Sequence, residues 1–174
     1  MRVVERVSDI VIVHLDLVHD ARGFSLDAYS VSWASGLGLP PFKHVYVSYS
    51  RRGVVRGLHY QLPPNVQGKF VVVVQGRIFD VVVDIRRSSP SFGKVYTFEL
   101  GSGHGIWVPV GYAHGFQALE DALLIYLMSD EFVPGLYRCI RWDDPDLAVM
   151  WPISEVVVSE RDAGCPRFRD AEHL

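Results

Sequence analysis

Two segments of this chain concentrate the residue types that remove a proton from carbon and hold the charge left behind. One runs Gly53-Val54-Val55-Arg56-Gly57-Leu58-His59-Tyr60-Gln61 and continues to Gln67-Gly68-Lys69. The other runs Gly103-His104-Gly105-Ile106-Trp107-Val108-Pro109-Val110-Gly111-Tyr112-Ala113-His114. An imidazole with an ordinary pKa of about 6.5 serves as a general base at neutral pH. An ammonium and a guanidinium beside it stabilise a developing oxyanion. His59, Lys69 and Arg56 therefore suit abstraction of a proton next to a carbonyl, where the enolate oxygen is the charge to be held. A tyrosine facing the same cavity would return a proton.

Short β-rich runs separated by glycine and proline must position these groups. The expected strands are Ile10–Leu17, Val45–Ser50, Gly53–Gln61, Phe70–Gln75, Ile78–Ile85, Lys94–Leu100, Ile106–Val110, Gly115–Leu119 and Leu123–Met128. Valine, isoleucine, tyrosine and phenylalanine dominate them, as suits a pleated, half-buried surface. Gln75-Gly76-Arg77 predicts a tight hairpin between two consecutive strands. A helix is expected only around Asp27–Leu37 and again in the last dozen residues. Eight or nine short antiparallel strands in 174 residues, with no repeat and no break in composition, predict one all-β jelly-roll barrel able to hold a ligand in its mouth. Arg56 and His59, three apart, fall on opposite faces of a regular strand, so Gly57 must mark a bulge if both are to reach one pocket. Alternation puts Tyr126 on one face with Leu124 and Met128, but both faces of that strand are apolar.

Apolar residues make up 49% of the chain, too many for disorder, and a formal net charge of −3 gives no field that would draw nucleic acid or an anionic membrane. No apolar run approaches the ~20 residues of a membrane-spanning helix, and charges crowd Met1-Arg2-Val3-Val4-Glu5-Arg6; a cytoplasmic protein is expected. Cys139 and Cys165 have no metal-ligand spacing and are expected to be free thiols, with a disulfide as the alternative. His14, His19, His104 and His173 carry no motif and are expected on the surface or in loops.

The two segments resemble the two signature motifs of the cupin superfamily. The second matches the pattern G-x5-P-x-G-x2-H throughout, ending at His114. In the first, Gly53 and His59 stand at the expected glycine and histidine, but Gln61 occupies the second-histidine position and Lys69 the glutamate position. A divalent ion wants neutral imidazoles and an anionic oxygen, and an ammonium in place of the carboxylate repels it. No metal and no other cofactor is expected.

Several further motifs in order make the resemblance specific. Arg56-Gly57-Leu58-His59-Tyr60-Gln61, Gln67-Gly68-Lys69, Phe79-Asp80-Val81-Val82-Val83-Asp84-Ile85-Arg86, Ser89-Pro90-Ser91-Phe92-Gly93, Ala113-His114-Gly115-Phe116, Trp142-Asp143-Asp144-Pro145-Asp146 and Trp151-Pro152 resemble the dTDP-4-dehydrorhamnose 3,5-epimerases over about residues 20 to 166. The resemblance implies a metal-free cupin homodimer in dTDP-rhamnose biosynthesis, acting on a nucleotide-linked 4-keto-6-deoxyhexose. It implies His59 as base, Tyr126 as acid, Asp162 as the aspartate orienting the base, and Lys69 as the group holding the enolate. It implies substrate contacts from Arg56, His114 and Arg161, and from Arg22 and Asp27 through the neighbouring subunit. The sequence departs from the family around the nucleotide and sugar: His44 and Tyr46 replace a glutamine and an asparagine, Glu131 a tyrosine and Tyr137 a glutamate. Rival readings are an epimerase acting at C3 only, a metal-dependent cupin enzyme and a non-catalytic sugar-binding cupin.

Overall fold

The computed structural model describes residues 1–174 and consists mainly of two antiparallel sheets lying face to face. The strands are β1 (Arg2–Val7), β2 (Ile10–His14), β3 (Leu17–Asp20), β4 (Gly23–Leu26), β5 (His44–Ser50), β6 (Val55–Gln61), β7 (Lys69–Gln75), β8 (Arg77–Asp84), β9 (Val95–Gly101), β10 (His104–Val108), β11 (Tyr112–Ala118), β12 (Ala122–Met128) and β13 (Tyr137–Cys139), with short helices α1 (Val31–Gly36) and α2 (Glu160–Ala163). One sheet has the order β1-β2-β10-β7-β12-β5 and the other β13-β6-β11-β8-β9, while β3 and β4 form a separate two-stranded ribbon. This is the jelly-roll barrel the strand count predicts.

Both faces of the central strands are apolar because both are covered. Val71 and Val73 of β7 point between the sheets with Ile106, Val82, Phe116 and Leu124, the central cluster of the core. Their neighbours Phe70 and Val72 point outward, where α1 and the residues around it cover them through Ala34 and Leu39. On the other sheet Leu58, Val81 and Val83 are covered from outside by the C-terminal segment, through Ile140, Leu147 and Ala171. Side chains two apart share a face, so Tyr126, alongside Leu124, lies between the sheets and packs against the central cluster.

The expected strands are all found, with shifted ends. Ile10–Leu17 is broken into β2 and the start of β3. The hairpin expected at Gln75-Gly76-Arg77 is not a hairpin: β7 and β8 belong to different sheets, and the chain turns a corner between them. Gly76 has φ +86°, and a Cβ there would sit 2.2 Å from the Asp121 carbonyl oxygen, so only glycine fits that corner. The first helix is shorter than Asp27–Leu37, since Ser30 is still extended at the N-cap. Strands β1, β3, β4 and β13 were not expected. His14 and His104 are not loop residues but face each other across β2 and β10, with ring centroids 5.2 Å apart. Cys139 and Cys165 are not free; they form a disulfide across Cα atoms 5.6 Å apart. The pairing of β13 with β6 places Cys139 beside the segment that follows α2, which nothing in the local sequence announces. No helix is long and apolar enough to cross a membrane.

Candidate active site

Strand register gathers the chemical groups at one end of the space between the sheets. In the first sheet Met128 pairs with both Lys69 and His44, so one row across β5, β12 and β7 carries His44, Met128 and Lys69. The next inward-facing row carries Tyr46, Tyr126 and Val71. In the opposing sheet His59 of β6 lies directly opposite His114 of β11. The two sheets thus present a lysine and a tyrosine to a pair of histidines across a cavity of about 420 Å³.

Between Arg56 and His59 the register slips: three residues of β6 span two of β11. Gly57 has φ +140°, and a Cβ on it would lie 2.6 Å from the Cα of Gly115 on the neighbouring strand. That bulge turns Arg56 and His59, which a regular strand would hold on opposite faces, into the same cavity. Arg56 also reaches across to the first sheet, donating from Nε to Ser50 Oγ at 2.9 Å and from Nη2 to the Tyr49 carbonyl oxygen at 3.2 Å.

His59 Nε2 lies 2.8 Å from Asp162 Oδ1. Asp162 Oδ2 accepts from the Gly57 backbone N–H at 3.2 Å, and the Asp162 N–H is itself capped by Ser159 Oγ at 3.1 Å. Burial alone would raise the Asp162 carboxyl, but its bonds to His59 and Gly57 bring it below its ordinary value. A carboxylate there accepts a proton from Nε2–H, which fixes the tautomer and leaves the Nδ1 lone pair free. Burial also lowers the His59 pKa, with Asp162 opposing the shift, so the imidazole is neutral at neutral pH.

The Lys69 ammonium donates to the His59 carbonyl oxygen at 3.0 Å. Burial pushes its pKa down to about 8, and attraction to Asp80 offsets part of the fall. Burial holds the Tyr126 phenol well above its usual range, so it keeps its proton. His114 Nε2 lies 2.8 Å from Asp80 Oδ2 in a second, more deeply buried histidine–aspartate pair.

At the mouth, Tyr137 tilts against the His59 ring with centroids 5.3 Å apart, and the Arg161 guanidinium lies 4.4 Å over the Tyr137 ring. Phe132 packs edge-on against Tyr137. Phe132, Gln67 and Ser159 also line the cavity and are not among the expected site residues. Ser159-Glu160-Arg161-Asp162 has the form of a helix cap, a signal that could have found Ser159; a lone phenylalanine such as Phe132 gives none.

Ten of the thirteen expected site residues line the cavity: His44, Tyr46, Arg56, His59, Lys69, His114, Tyr126, Tyr137, Arg161 and Asp162. Three do not. Arg22 is held by Asp20 at the exposed tip of the β3–β4 ribbon, and Asp27 follows that ribbon, exposed to solvent. Glu131 points outward, 65% exposed, and reaches the site only through His44 Nδ1 at 3.6 Å. The reason is geometric: the ribbon is hydrogen-bonded to neither sheet, and Glu131 lies beyond the end of β12.

The residues at the cupin metal positions do not fit a dication. The Gln61 amide nitrogen donates to the carbonyl oxygens of Asn65 and Glu131, and its oxygen accepts from the Val133 N–H at 2.9 Å. Its side chain is thus committed to the backbone, and Lys69 brings a positive charge where an anionic ligand would be needed.

The model of the family described as dTDP-4-dehydrorhamnose 3,5-epimerase matches residues 5–170. The dTDP-4-dehydrorhamnose 3,5-epimerase of Mycobacterium tuberculosis is 45% identical over 165 residues, covering 87% of this chain and 79% of that protein. The crystal structure of the enzyme of that name from Sulfolobus tokodaii superposes with a TM-score of 0.91 at 40% identity, over 99% of this chain and 98% of that one. The dTDP-6-deoxy-D-glucose-3,5-epimerase of Legionella pneumophila, solved in complex with dTDP-4-keto-L-rhamnose, superposes with a TM-score of 0.89 at 34% identity, over 97% of this chain and 93% of that one.

Proposed function

The chain belongs to the dTDP-4-dehydrorhamnose 3,5-epimerase family, and from that premise we propose that it inverts C3 and C5 of dTDP-4-keto-6-deoxyglucose to give dTDP-4-keto-L-rhamnose. The observation that carries the reading is a neutral histidine, His59, backed by Asp162 and facing Tyr126 across the cavity, with Lys69 in the adjacent row of the first sheet.

The C4 ketone acidifies the hydrogens on both C3 and C5, so one base serves both centres. His59 Nδ1 takes a proton from one face, and the electron pair of the broken C–H bond moves onto the C4 oxygen. Lys69, charged below about pH 8, stabilises that enolate. Tyr126 delivers its phenolic proton to the opposite face of the carbon, inverting it. The proton held by His59 returns through solvent to the Tyr126 phenolate, and the cycle repeats at the second centre. Arg56 and Arg161 supply donors for the sugar oxygens and the diphosphate, and His114, whose Nε2 is held by Asp80, meets a sugar hydroxyl through Nδ1. Tyr46, Tyr137 and His44, with Glu131 behind it, form the rim that receives the nucleotide.

We further propose that the enzyme is a homodimer. The edge strand β5 leaves Val45, Val47 and Tyr49 more than half exposed, and Val18 and Phe24 are exposed on the β3–β4 ribbon. An unpaired, apolar sheet edge is a template for a second chain. In such a dimer Arg22 and Asp27 would serve the pocket of the neighbouring subunit. Sedimentation at micromolar concentration tests it, and a monomer of full activity would refute it.

The decisive experiment for the chemistry is turnover of dTDP-4-keto-6-deoxyglucose in deuterated water. Label at both C3 and C5 is expected; label at C3 alone would make the enzyme a single-centre epimerase, and no label would remove the epimerase assignment.

A further inference from the structure

The disulfide lies behind the site and ties together two short elements that carry its residues. Strand β13 is three residues long and pairs only with β6, placing Tyr137 opposite Gln61 and Cys139 opposite His59. Helix α2 is a single turn of four residues holding Arg161 and Asp162, and Cys165 follows it after Gly164. One turn of helix has no stability of its own and stays where its surroundings hold it.

Its surroundings hold the front of the turn well. Val157 exchanges backbone hydrogen bonds with Gly53 and Val55, and Ser159 caps the helix. Behind the turn the first restraints are the bond from Cys165 to Cys139 and the Arg141 N–H to the Pro166 carbonyl oxygen at 2.9 Å; the next, from the Phe168 N–H to Asp144 Oδ2 at 2.7 Å, lies three residues beyond Cys165. Residues 140–159 between β13 and α2 contain no further strand or helix. Neither cysteine belongs to the three apolar clusters of the core.

We propose that the Cys139–Cys165 disulfide is a positioning cross-link of the active site, holding α2 against β13 so that Asp162 meets His59 and Arg161 covers Tyr137. One contact runs from α2 to β6 through Asp162 and His59, and the other from α2 to β13 through Arg161 and Tyr137, so the disulfide closes a ring that contains both. Displacements of about 1 Å at a catalytic contact cost up to about 100-fold in rate. With the front of α2 still anchored, opening the link is expected to lower kcat about tenfold. An added phosphine supplies the two electrons that break the S–S bond; water supplies the oxygen of the phosphine oxide and the two protons that convert both cysteines to thiols.

The test rests on the epimerase reading but carries a readout independent of turnover. The oxidised enzyme, the enzyme reduced with a water-soluble phosphine, and the Cys139→Ala/Cys165→Ala variant are compared by kcat and by proton NMR of the histidine ring N–H groups. Expected is a loss of about tenfold in kcat on reduction, reversed on reoxidation, with the His59 ring N–H signal bonded to Asp162 broadened by exchange and that of His114 unchanged. The double variant should match the reduced enzyme. An unchanged kcat and an unchanged His59 signal, with only a lower Tm, would make the link purely stabilising and overturn the proposal. Two free thiols in the fully active native enzyme would overturn it as well. If the double variant does not fold, reduced wild type of unchanged circular dichroism decides. If the oxidised enzyme turns over no nucleotide sugar, the epimerase reading fails, while the His59 signal still tests the cross-link.

Discussion

Two histidine–aspartate pairs sit on adjacent strands with the same 2.8 Å separation, yet they are built for different work. His114 and Asp80 come from neighbouring strands of one sheet, and their side chains are 3% and 0% exposed. Hydrogen-bonded strands on both sides fix that pair. His59 is 19% exposed and its aspartate comes from 103 residues away, on a single turn of helix in an otherwise irregular segment. A base must present a free nitrogen to a ligand and have its tautomer set from behind, which a partner outside the sheet allows. The pair inside the sheet instead gives Asp80 a partner, and that carboxylate in turn steadies the Lys69 ammonium. Equal distance therefore does not mean equal role: both pairs use Nε2, and what differs is how far the imidazole opens to the cavity and what holds the carboxylate.

Substituting each histidine tests this contrast most strongly. His59→Ala is expected to lower kcat by about 10³-fold or more, the usual scale for a lost general base, and to abolish deuterium exchange at the sugar carbons. The unfolding temperature should fall less than in His114→Ala, since Asp162 keeps its bond from the Gly57 N–H. His114→Ala should spare the proton-transfer step, raise KM through the lost substrate contact, and act mainly on stability. It leaves a fully buried carboxylate without its partner, a change that costs about 3–5 kcal/mol and should appear as a large fall in Tm. Equal losses of activity, with equal stability, would dissolve the distinction.

Lys69→Met is expected to cost about 10²-fold in kcat, since it removes the charge facing the enolate. The pH profile of kcat/KM sharpens the same point without mutation. His59 acts when neutral, and burial lowers its pKa, so the acid limb should fall below the ordinary histidine value of about 6.5. Lys69 acts when protonated, so activity should decline as pH rises through about 8. Tyr126 stays protonated across this range and should add no limb. In Lys69→Met the alkaline limb near 8 should disappear while the acid limb stays.

Opening the disulfide should also separate the two pairs. The link closes a loop with a sequence separation of 26, and its loss is expected to cost about 2–4 kcal/mol in the stability of the folded chain. Chemical denaturation of the oxidised and reduced proteins measures it, and a difference below about 1 kcal/mol would contradict the expectation.

The barrel was legible in the sequence because its strands are valine-rich and buried on one or both faces. The elements that escaped are those that bury little: β1 is exposed along most of its length, the β3–β4 ribbon stands apart, and β13 has three residues. The corner at Gly76 read as a hairpin because a glycine at positive φ serves both, and only the sheet assignment tells them apart. The site divides the same way. His59, Lys69 and Arg56 lie close in sequence and could be joined by chemistry alone. Asp162 and Tyr126 were reachable only through the family resemblance: one bonds His59 from 103 positions away and the other shares its cavity from 67 positions away, and neither leaves a local period. The pairing of Cys139 with Cys165 had no signal at all, since it depends on where a coil segment returns.

The smallest effect is expected at the rim. Glu131 pairs with His44 Nδ1 at 3.6 Å while 65% exposed, so water and salt screen the contact, and exposed pairs of this kind contribute about 0–1 kcal/mol. Glu131→Gln removes the charge and keeps the shape. It should leave kcat unchanged and raise KM by no more than about fivefold, the factor that ~1 kcal/mol allows. The change should shrink further in 0.5 M salt, because the interaction lies within reach of mobile ions. A KM effect of 50-fold or more would mean that Glu131 meets the substrate directly, by turning inward or by closing onto a neighbouring subunit. Rim and interior would then differ less than the static geometry implies, and His44, which lines the cavity, would be the residue through which the two are joined.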